Sequence, residues 1–306
     1  MKVIHNITDI PKGQKIGITI GNFDGVHIGH QHLLTEIRKK CDAKGLSFVV
    51  VTFVPHPQKI LCPGKERFLI NSYNYKRSLL EEQGVDYLIE IEFNRDFSTL
   101  SPEDFLKNYL LPHPGLEDIY LGYDFAFGAN KQGDFDIVKN TCKNSNVEIQ
   151  PKYEFSGETV SSTLIRKLIE DGELKKVQEV LGRPFRLEGT VIKGEGRGKK
   201  IGFPTANILI STDLIIPAKG VYVSRTTNRG MTYNSITNIG NNPTFNNNDG
   251  LFIETHLFDF DDYLYGEVIE VELYQRLRDE KKFSSVNELV DQIKKDIEKA
   301  KDFLCQ

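Results

Sequence analysis

Apolar and polar residues alternate along this chain with two different periods. Over the first half, short apolar runs at residues 15–20, 47–53 and 87–91 are separated by segments of helical spacing at 30–44 and 73–83. Strand and helix patterns in that order predict βαβ units and a parallel sheet. Residues 118–121 predict a further buried strand, and 161–171 a helix capped by serine and stopped by Gly172. This α/β region should end near Gly182.

After Pro184 the period shortens to two. The pattern is clearest at 267–274, where Ile269, Val271 and Leu273 alternate with Glu270 and Glu272. Similar runs at 186–192, 220–225, 233–239 and 252–260 are separated by Gly, Asn and Pro, which predicts a small antiparallel barrel or sandwich. A closing helix over 285–304 places Val286, Leu289, Val290, Ile293, Ile297, Ala300 and Leu304 on one face and should pack on the barrel. The fold class is therefore α/β plus β, with one domain over 1–182 and a second over 183–306.

Two domains are also what 306 residues suggest, since single cores rarely grow so large. A net charge of -4 and a pI near 6.0 provide no general attraction for nucleic acid. The four cysteines, Cys41, Cys62, Cys142 and Cys305, are scattered without a C-x-x-C pair, which points to free thiols in a reducing compartment. The first 21 residues are interrupted by His5, Asn6, Asp9, Pro11 and Gly13, and no apolar run approaches the length of a membrane span. The expected location is the cytoplasm, with neither membrane nor nucleic acid as partner. Oligomeric state is left open.

Candidate chemistry begins directly after the first long strand, at Gly21-Asn22-Phe23-Asp24-Gly25-Val26-His27-Ile28-Gly29-His30. A loop leading from a strand into a helix is where phosphates bind in an open α/β sheet. His27 and His30 can donate to phosphate oxygens and stabilise an in-line transition state, with Gly29 permitting close backbone approach. Asn22 and Asp24 belong to the same loop and are read, with Gly29, as nucleotide and phosphate contacts. The plainer reading makes the two histidines ordinary polar residues of a first helical turn. In 160–166, VSSTLIR, the hydroxyls of Ser162 and Thr163 at a helix start and the fork of Arg166 suit a polyphosphate. A simple N-cap with a surface arginine remains the alternative. In LGYDFAFG, 121–128, Asp124 is either a substrate contact or a turn residue, and His56 in VTFVPHP, 51–57, is given no catalytic role.

In the second half, Gly194, Gly196, Gly198 and Gly202 alternate with Arg197, Lys199 and Lys200, a loop able to cradle phosphates through backbone amides or to serve merely as a hairpin. It leads into Pro204-Thr205-Ala206-Asn207. On a strand, Thr205 and Asn207 share a face and offer the oxygens that Mg²⁺ prefers. Strand alternation puts Glu254 with Phe252, His256 and Phe258, where its carboxylate either accepts a proton from a substrate hydroxyl or is simply exposed. Arg278 reads as a ligand contact or as a surface ion pair with Asp279 or Glu280.

These stretches, GNFDGVHIGHQHLL, VTFVPHP, LGYDFAFG, VSSTLIR, GFPTAN, ETHLFDF, NIGNNPTF and LYGEVIEVELYQRLRDEKKF, resemble in order the bacterial bifunctional riboflavin kinase/FAD synthetase family over nearly the whole chain. The resemblance implies a Rossmann-like nucleotidyltransferase domain followed by a barrel of riboflavin kinase type. It implies ATP, riboflavin and FMN as partners, flavins as substrates and products, and Mg²⁺ as Mg-ATP. It further implies that Ser162, Thr163 and Arg166 grip the triphosphate and that Thr205 and Asn207 hold the metal and phosphates. Glu254 is implied as base toward the ribityl hydroxyl, Gly196, Gly198 and Lys199 as phosphate contacts, and Asp124 and Arg278 as flavin contacts. Two rival readings stay open: a nucleotidyltransferase for another phosphate ester, and a flavin-sensing regulator or RNA-binding module.

Overall fold

The alternation of the first half resolves into a six-stranded sheet. In the computed structural model the chain runs β1 (Lys2–Ile4), β2 (Ile16–Ile20), α1 (Ile28–Lys44), β3 (Ser47–Val54), α2 (Pro57–Leu61), α3 (Tyr73–Glu82) and β4 (Tyr87–Glu92). It continues through α4 (Pro102–Phe105), β5 (Leu116–Leu121), α5 (Phe135–Thr141), β6 (Asn146–Ile149) and a short hairpin, β7 (Glu154–Phe155) and β8 (Glu158–Thr159). The structure describes every residue except Pro63, Lys65, Asp124, Asn130, Lys131, Ser156, Glu195, 242–250 and Gln306.

Strands β1 to β6 pair in parallel in the order β1-β4-β3-β2-β5-β6. Successive residues of β3 feed opposite faces. Val49 and Val51 join Ile18 and Ile119 in one core, while Phe48 and Val50 join Leu34, Ile37 and Leu80 in the other. A parallel sheet covered on both faces is what such continuous apolar strands require. From β2 the chain steps outward to β3 and β4, then returns to lay β5 on the other side of β2. The topological switch thus falls between β2 and β5, and ligands of open α/β sheets bind at the carboxyl ends of such a pair.

The second half forms α6 (Ser162–Glu170), α7 (Leu174–Leu181), β9 (Phe185–Ile192), α8 (Arg197–Lys200), β10 (Ala206–Ile210), β11 (Gly220–Asn228), β12 (Met231–Asn241), β13 (Leu251–Leu257), β14 (Val268–Arg278) and α9 (Val286–Leu304). Strands β9 to β14 close into an antiparallel barrel in the order β10-β13-β12-β11-β14-β9. Five fully buried hydroxyls, on Ser224, Thr226, Ser235, Thr237 and Thr255, bond to one another across β11, β12 and β13 at 2.8–3.2 Å. Each thereby recovers the bond it loses on leaving water. Helix α9, capped by Ser285, packs Ile293, Ile297, Ala300 and Leu304 against Val221, Val223, Ile236 and Phe258 of the barrel. Val286, expected on that apolar face, is 60% exposed.

Several boundaries differ from the sequence pattern. Helix α1 begins at Ile28 because His27 caps it. Strand β13 stops at Leu257, short of residue 260, since Asp259 turns the chain with a φ of 54°. Strands β1, β6 and β10 and helix α7 lie in segments for which the pattern predicts no element.

The chain divides into two compact units, Met1–Glu66 with Tyr73–Ser161, and Arg67–Ser72 with Ser162–Gln306. Helices α6 and α7, on the N-terminal side of Gly182, group with the barrel, and α7 packs on β9 and β14.

Candidate active sites

In the first unit, the loop after β2 combines tight backbone geometry with two stacked imidazoles. Gly21 is still tied to the sheet through its N–H to the Val51 carbonyl at 3.0 Å. Phe23, Gly25 and Val26 then take φ values of 48°, 85° and 38°. Left-handed backbone at a β-branched residue such as Val26 is uncommon and is sustained only by its surroundings. His27, 5% exposed, caps α1: its Nδ1 accepts the His30 N–H at 3.3 Å. The two rings stack with centroids 3.6 Å apart, and Phe23 meets His30 edge-on at 5.2 Å.

The cap refines the sequence expectation, because the Nδ1 lone pair of His27 is engaged by the first turn of α1. Gly29 has a specific reason to be glycine: a Cβ there would stand 3.2 Å from the His27 ring. Ile28 and Gly29 carry first-turn N–H groups at the positive end of a 17-residue helix. The loop lies at the carboxyl end of β2, beside the switch point, and Asn22 and Asp24 lie within it. Asp124 lies outside the described residues.

A cavity of about 770 Å³ opens at the carboxyl ends of β3 and β4, bordered by His5, Arg77, Glu90, Asp96, Phe97 and Tyr109. None of these residues is singled out by the sequence motifs. The Arg77–Glu90 ion pair at 2.6 Å, with Glu90 nearly fully buried, forms part of its wall.

Ser162, Thr163 and Arg166 occupy the first turn and a half of α6, in the second unit. Arg166 is oriented by Phe68: the guanidinium carbon sits 3.6 Å over the ring, and Nε donates to the Phe68 carbonyl at 2.9 Å. Phe68 is itself docked by its N–H on the Asp213 carbonyl at 2.7 Å.

The barrel unit brings distant sequence candidates together. A cavity of about 430 Å³ is lined by Arg197, Gly198, Thr205, Asn238, Glu254 and Arg278, among others. Gly196, with φ 66°, opens the short helix α8, which replaces the simple loop expected there. Gly198 lies so close to the next stretch that a Cβ would stand 2.3 Å from the Phe203 carbonyl oxygen. Thr205 lies just ahead of β10, so the strand argument for its direction does not apply, yet it does line the cavity. Asn207 is on the strand, 6% exposed and in register with Glu254. Gly194 lies against it, since a Cβ there would stand 2.1 Å from Nδ2. Gly196, Lys199 and Asn207 are not among the lining residues.

Phe252, Glu254 and His256 share the cavity face, as strand alternation predicts, whereas Phe258, expected with them, lies beyond the end of β13 and packs in the cluster under α9. His256 donates from Nδ1 to the Pro204 carbonyl at 2.7 Å, because a carbonyl can only accept. That bond ties the Pro-Thr-Ala-Asn stretch to the strand carrying Glu254. Two residues escape the sequence reading. Asn238 stands opposite Glu254 on β12. Asp296, 1% exposed on α9, receives Arg278 Nε at 2.8 Å, where the sequence suggests Asp279 or Glu280. The only local signal for Asp296 is a carboxylate on the apolar side of α9, three residues after Ile293 and four before Ala300.

A parallel sheet with a His-x-Gly-His helix start, joined to a closed barrel with a glycine-bordered carboxylate cavity, defines a two-activity phosphate-transfer enzyme. Residues 9–164 match the FAD synthetase family and residues 181–304 the riboflavin kinase family. The chain belongs to the bifunctional riboflavin kinase/FMN adenylyltransferase family. Similar relatives of that name include the Listeria monocytogenes protein, 36% identical over 98% of this chain and 94% of its own. The Escherichia coli protein is 34% identical over 98% and 96%. A crystal structure described as a macrolide-efflux protein from Streptococcus pneumoniae superposes with a TM-score of 0.87, at 33% identity over 98% of both chains. Among the described residues, no helix is long and apolar enough to cross a membrane.

Proposed function

We propose that this chain converts riboflavin and ATP to FMN and ADP in its barrel domain, and FMN and ATP to FAD and pyrophosphate in its parallel-sheet domain, working in the cytoplasm. The observation that carries the reading is the convergence of Arg197, Gly198 and Thr205 with Glu254 and Arg278, residues from three separate stretches of sequence, on one cavity. We take the domains as 1–182 and 183–306.

In the kinase reaction, the half-buried Glu254 carboxylate accepts the proton of the terminal ribityl hydroxyl as that oxygen attacks phosphorus. Gly196, Gly198 and Lys199 bring backbone amides and positive charge to the phosphates. Arg278, locked by Asp296, faces the flavin. Mg²⁺ suits this site: Thr205 lines it, and the buried Oδ1 of Asn207 has no hydrogen-bond partner among the described residues. Both are hard oxygen donors, and the bound cation would neutralise phosphate charge there.

In adenylylation, the FMN phosphate attacks the α-phosphorus of ATP and pyrophosphate leaves. His27, His30 and the α1 amides beside Gly29 stabilise the charge that builds on the reacting phosphate. Asn22 and Asp24 contact the nucleotide, Ser162, Thr163 and Arg166 hold the departing phosphates, and Asp124 contacts the flavin nucleotide. No covalent nucleophile is needed, since positioning and charge stabilisation supply the catalysis.

The test is incubation of the purified chain with riboflavin, ATP and Mg²⁺, following FMN and FAD by chromatography. FMN appearing first and FAD second is the expected course. Adenylylation of supplied FMN without riboflavin phosphorylation would instead point to another phosphate ester as the natural substrate of a chain whose barrel only recognises it.

A further inference from the structure

Lys76 belongs to none of the motifs, yet it lies beneath the loop that carries them, 5% exposed. Its Nζ donates to the Asn22 carbonyl at 3.3 Å and to Thr52 Oγ1 at 3.1 Å, and Thr52 Oγ1 donates to the same carbonyl at 3.2 Å. The ammonium also lies 5.4 Å from the Tyr73 ring centre. Charged groups face it from three directions: Asp24 from the loop, Glu90 from β4 and Arg77 from its own helix. Arg77 and Glu90 are bonded to each other, so the field that Lys76 answers is chiefly that of Asp24, itself 4% exposed.

Burying a lysine is costly unless the ammonium is bonded and offset by charge. Here the cost falls where the backbone most needs an anchor, because Phe23, Gly25 and Val26 all adopt left-handed φ within four residues. Asn22 is the last residue before that run. A carbonyl held by two donors sets the direction in which the loop leaves β2, and hence where the His27–His30 stack stands. Offsetting Asp24 also removes a repulsion that a polyphosphate at this loop would otherwise meet.

We propose that Lys76 is a positioning residue for adenylyl transfer, pinning the Asn22 carbonyl and offsetting Asp24 so that residues 22–30 hold their shape against ATP. The role rests on the reading of the first unit as an FMN adenylyltransferase. Burial also pushes the Lys76 ammonium down to about 8, so the pin weakens as pH rises past that point.

The experiment compares full-length wild type with Lys76→Met and Lys76→Arg, measuring FAD formation from supplied FMN and FMN formation from riboflavin in the same preparations. Hydrogen-exchange protection of β2 and β3 reports whether the first unit is folded. We expect folded Lys76→Met to keep kinase activity and lose about 10²–10³-fold in kcat/KM for adenylylation, the loss typical of one preorganised donor. Lys76→Arg, charged at all these pH values, should retain adenylylation and lack the fall in rate that wild type shows above about pH 8. Folded Lys76→Met within about threefold of wild type would overturn the proposal. So would a Lys76→Arg profile with the wild-type alkaline fall, a result that decides the matter even if the methionine variant does not fold. A wild-type chain that makes FMN but converts none of it to FAD would overturn the reading of the first unit, and this role with it.

Discussion

Asp296→Ala would leave an arginine in the barrel without its counter-charge. The Asp296 side chain is 2% exposed and that of Arg278 14%, with Nε and Oδ2 2.8 Å apart, and Gln292 donates to the other carboxylate oxygen at 2.8 Å. Breaking a buried pair by removing one partner costs about 3–5 kcal/mol. Arg278 retains the Asp279 carbonyl as an acceptor at 3.0 Å and lies over the Phe283 ring, so the lower end applies, about 3 kcal/mol. For a unit of this size each kcal/mol moves the melting midpoint by about 2–4 °C, which places the barrel transition roughly 6–12 °C lower. Calorimetry reads that shift, and initial rates of FMN formation should show a raised KM for riboflavin. Replacing both residues, Arg278→Met with Asp296→Leu, removes the stranded charge and should cost less than the sum of the single changes. A midpoint unchanged to within about 1 °C in Asp296→Ala, or strictly additive losses in the double variant, would refute the argument.

Glu254→Ala should abolish FMN formation and leave adenylylation of supplied FMN intact, with His30→Ala doing the reverse, both read by chromatography of the products. Gly194→Ala forces a methyl to within 2.1 Å of Asn207 Nδ2 and should lower kinase kcat/KM by about 10²-fold, while FAD formation from FMN is unchanged. Gly29→Ala meets the His27 ring at 3.2 Å, a milder conflict, and should reduce adenylylation about tenfold with kinase activity preserved. Asp118 is held below its ordinary 3.8: burial opposes its charge, but bonds from Lys44 and the Tyr120 hydroxyl prevail. A depressed carboxylate contributes stability that is fully present above its ordinary value and is lost as pH falls through the folded value. Asp118→Asn should therefore be less stable than wild type at pH 7, with the gap closing on acidification below about pH 4 in urea titrations.

Most of what was legible in the sequence is short-ranged. The helical spacing over 30–44 and the period of two over 267–274 depend on neighbours within one or two turns of chain, and both reappear in the structure as α1 and within β14. The shared face of Phe252, Glu254 and His256 follows from the pleat alone. Strands β1 and β6 were not legible because each has only three or four residues and gains its strand character from a parallel partner far along the chain. The hydroxyl ladder was equally hidden, since Ser and Thr at alternate positions look like a solvent face until three strands turn those hydroxyls toward one another.

By itself the sequence determined the two architectures and placed the phosphate-binding loop at a strand-to-helix junction, because hydrophobic period and turn chemistry act locally. Tertiary structure decided what each functional residue leans on. Lys76 reaches Asn22 across 54 residues, Asn238 stands opposite Glu254 through strand register, and Asp296 meets Arg278 only where α9 docks on the barrel. Such contacts depend on strand order, register and helix docking, which emerge only when the whole core closes and which no local pattern of residues encodes.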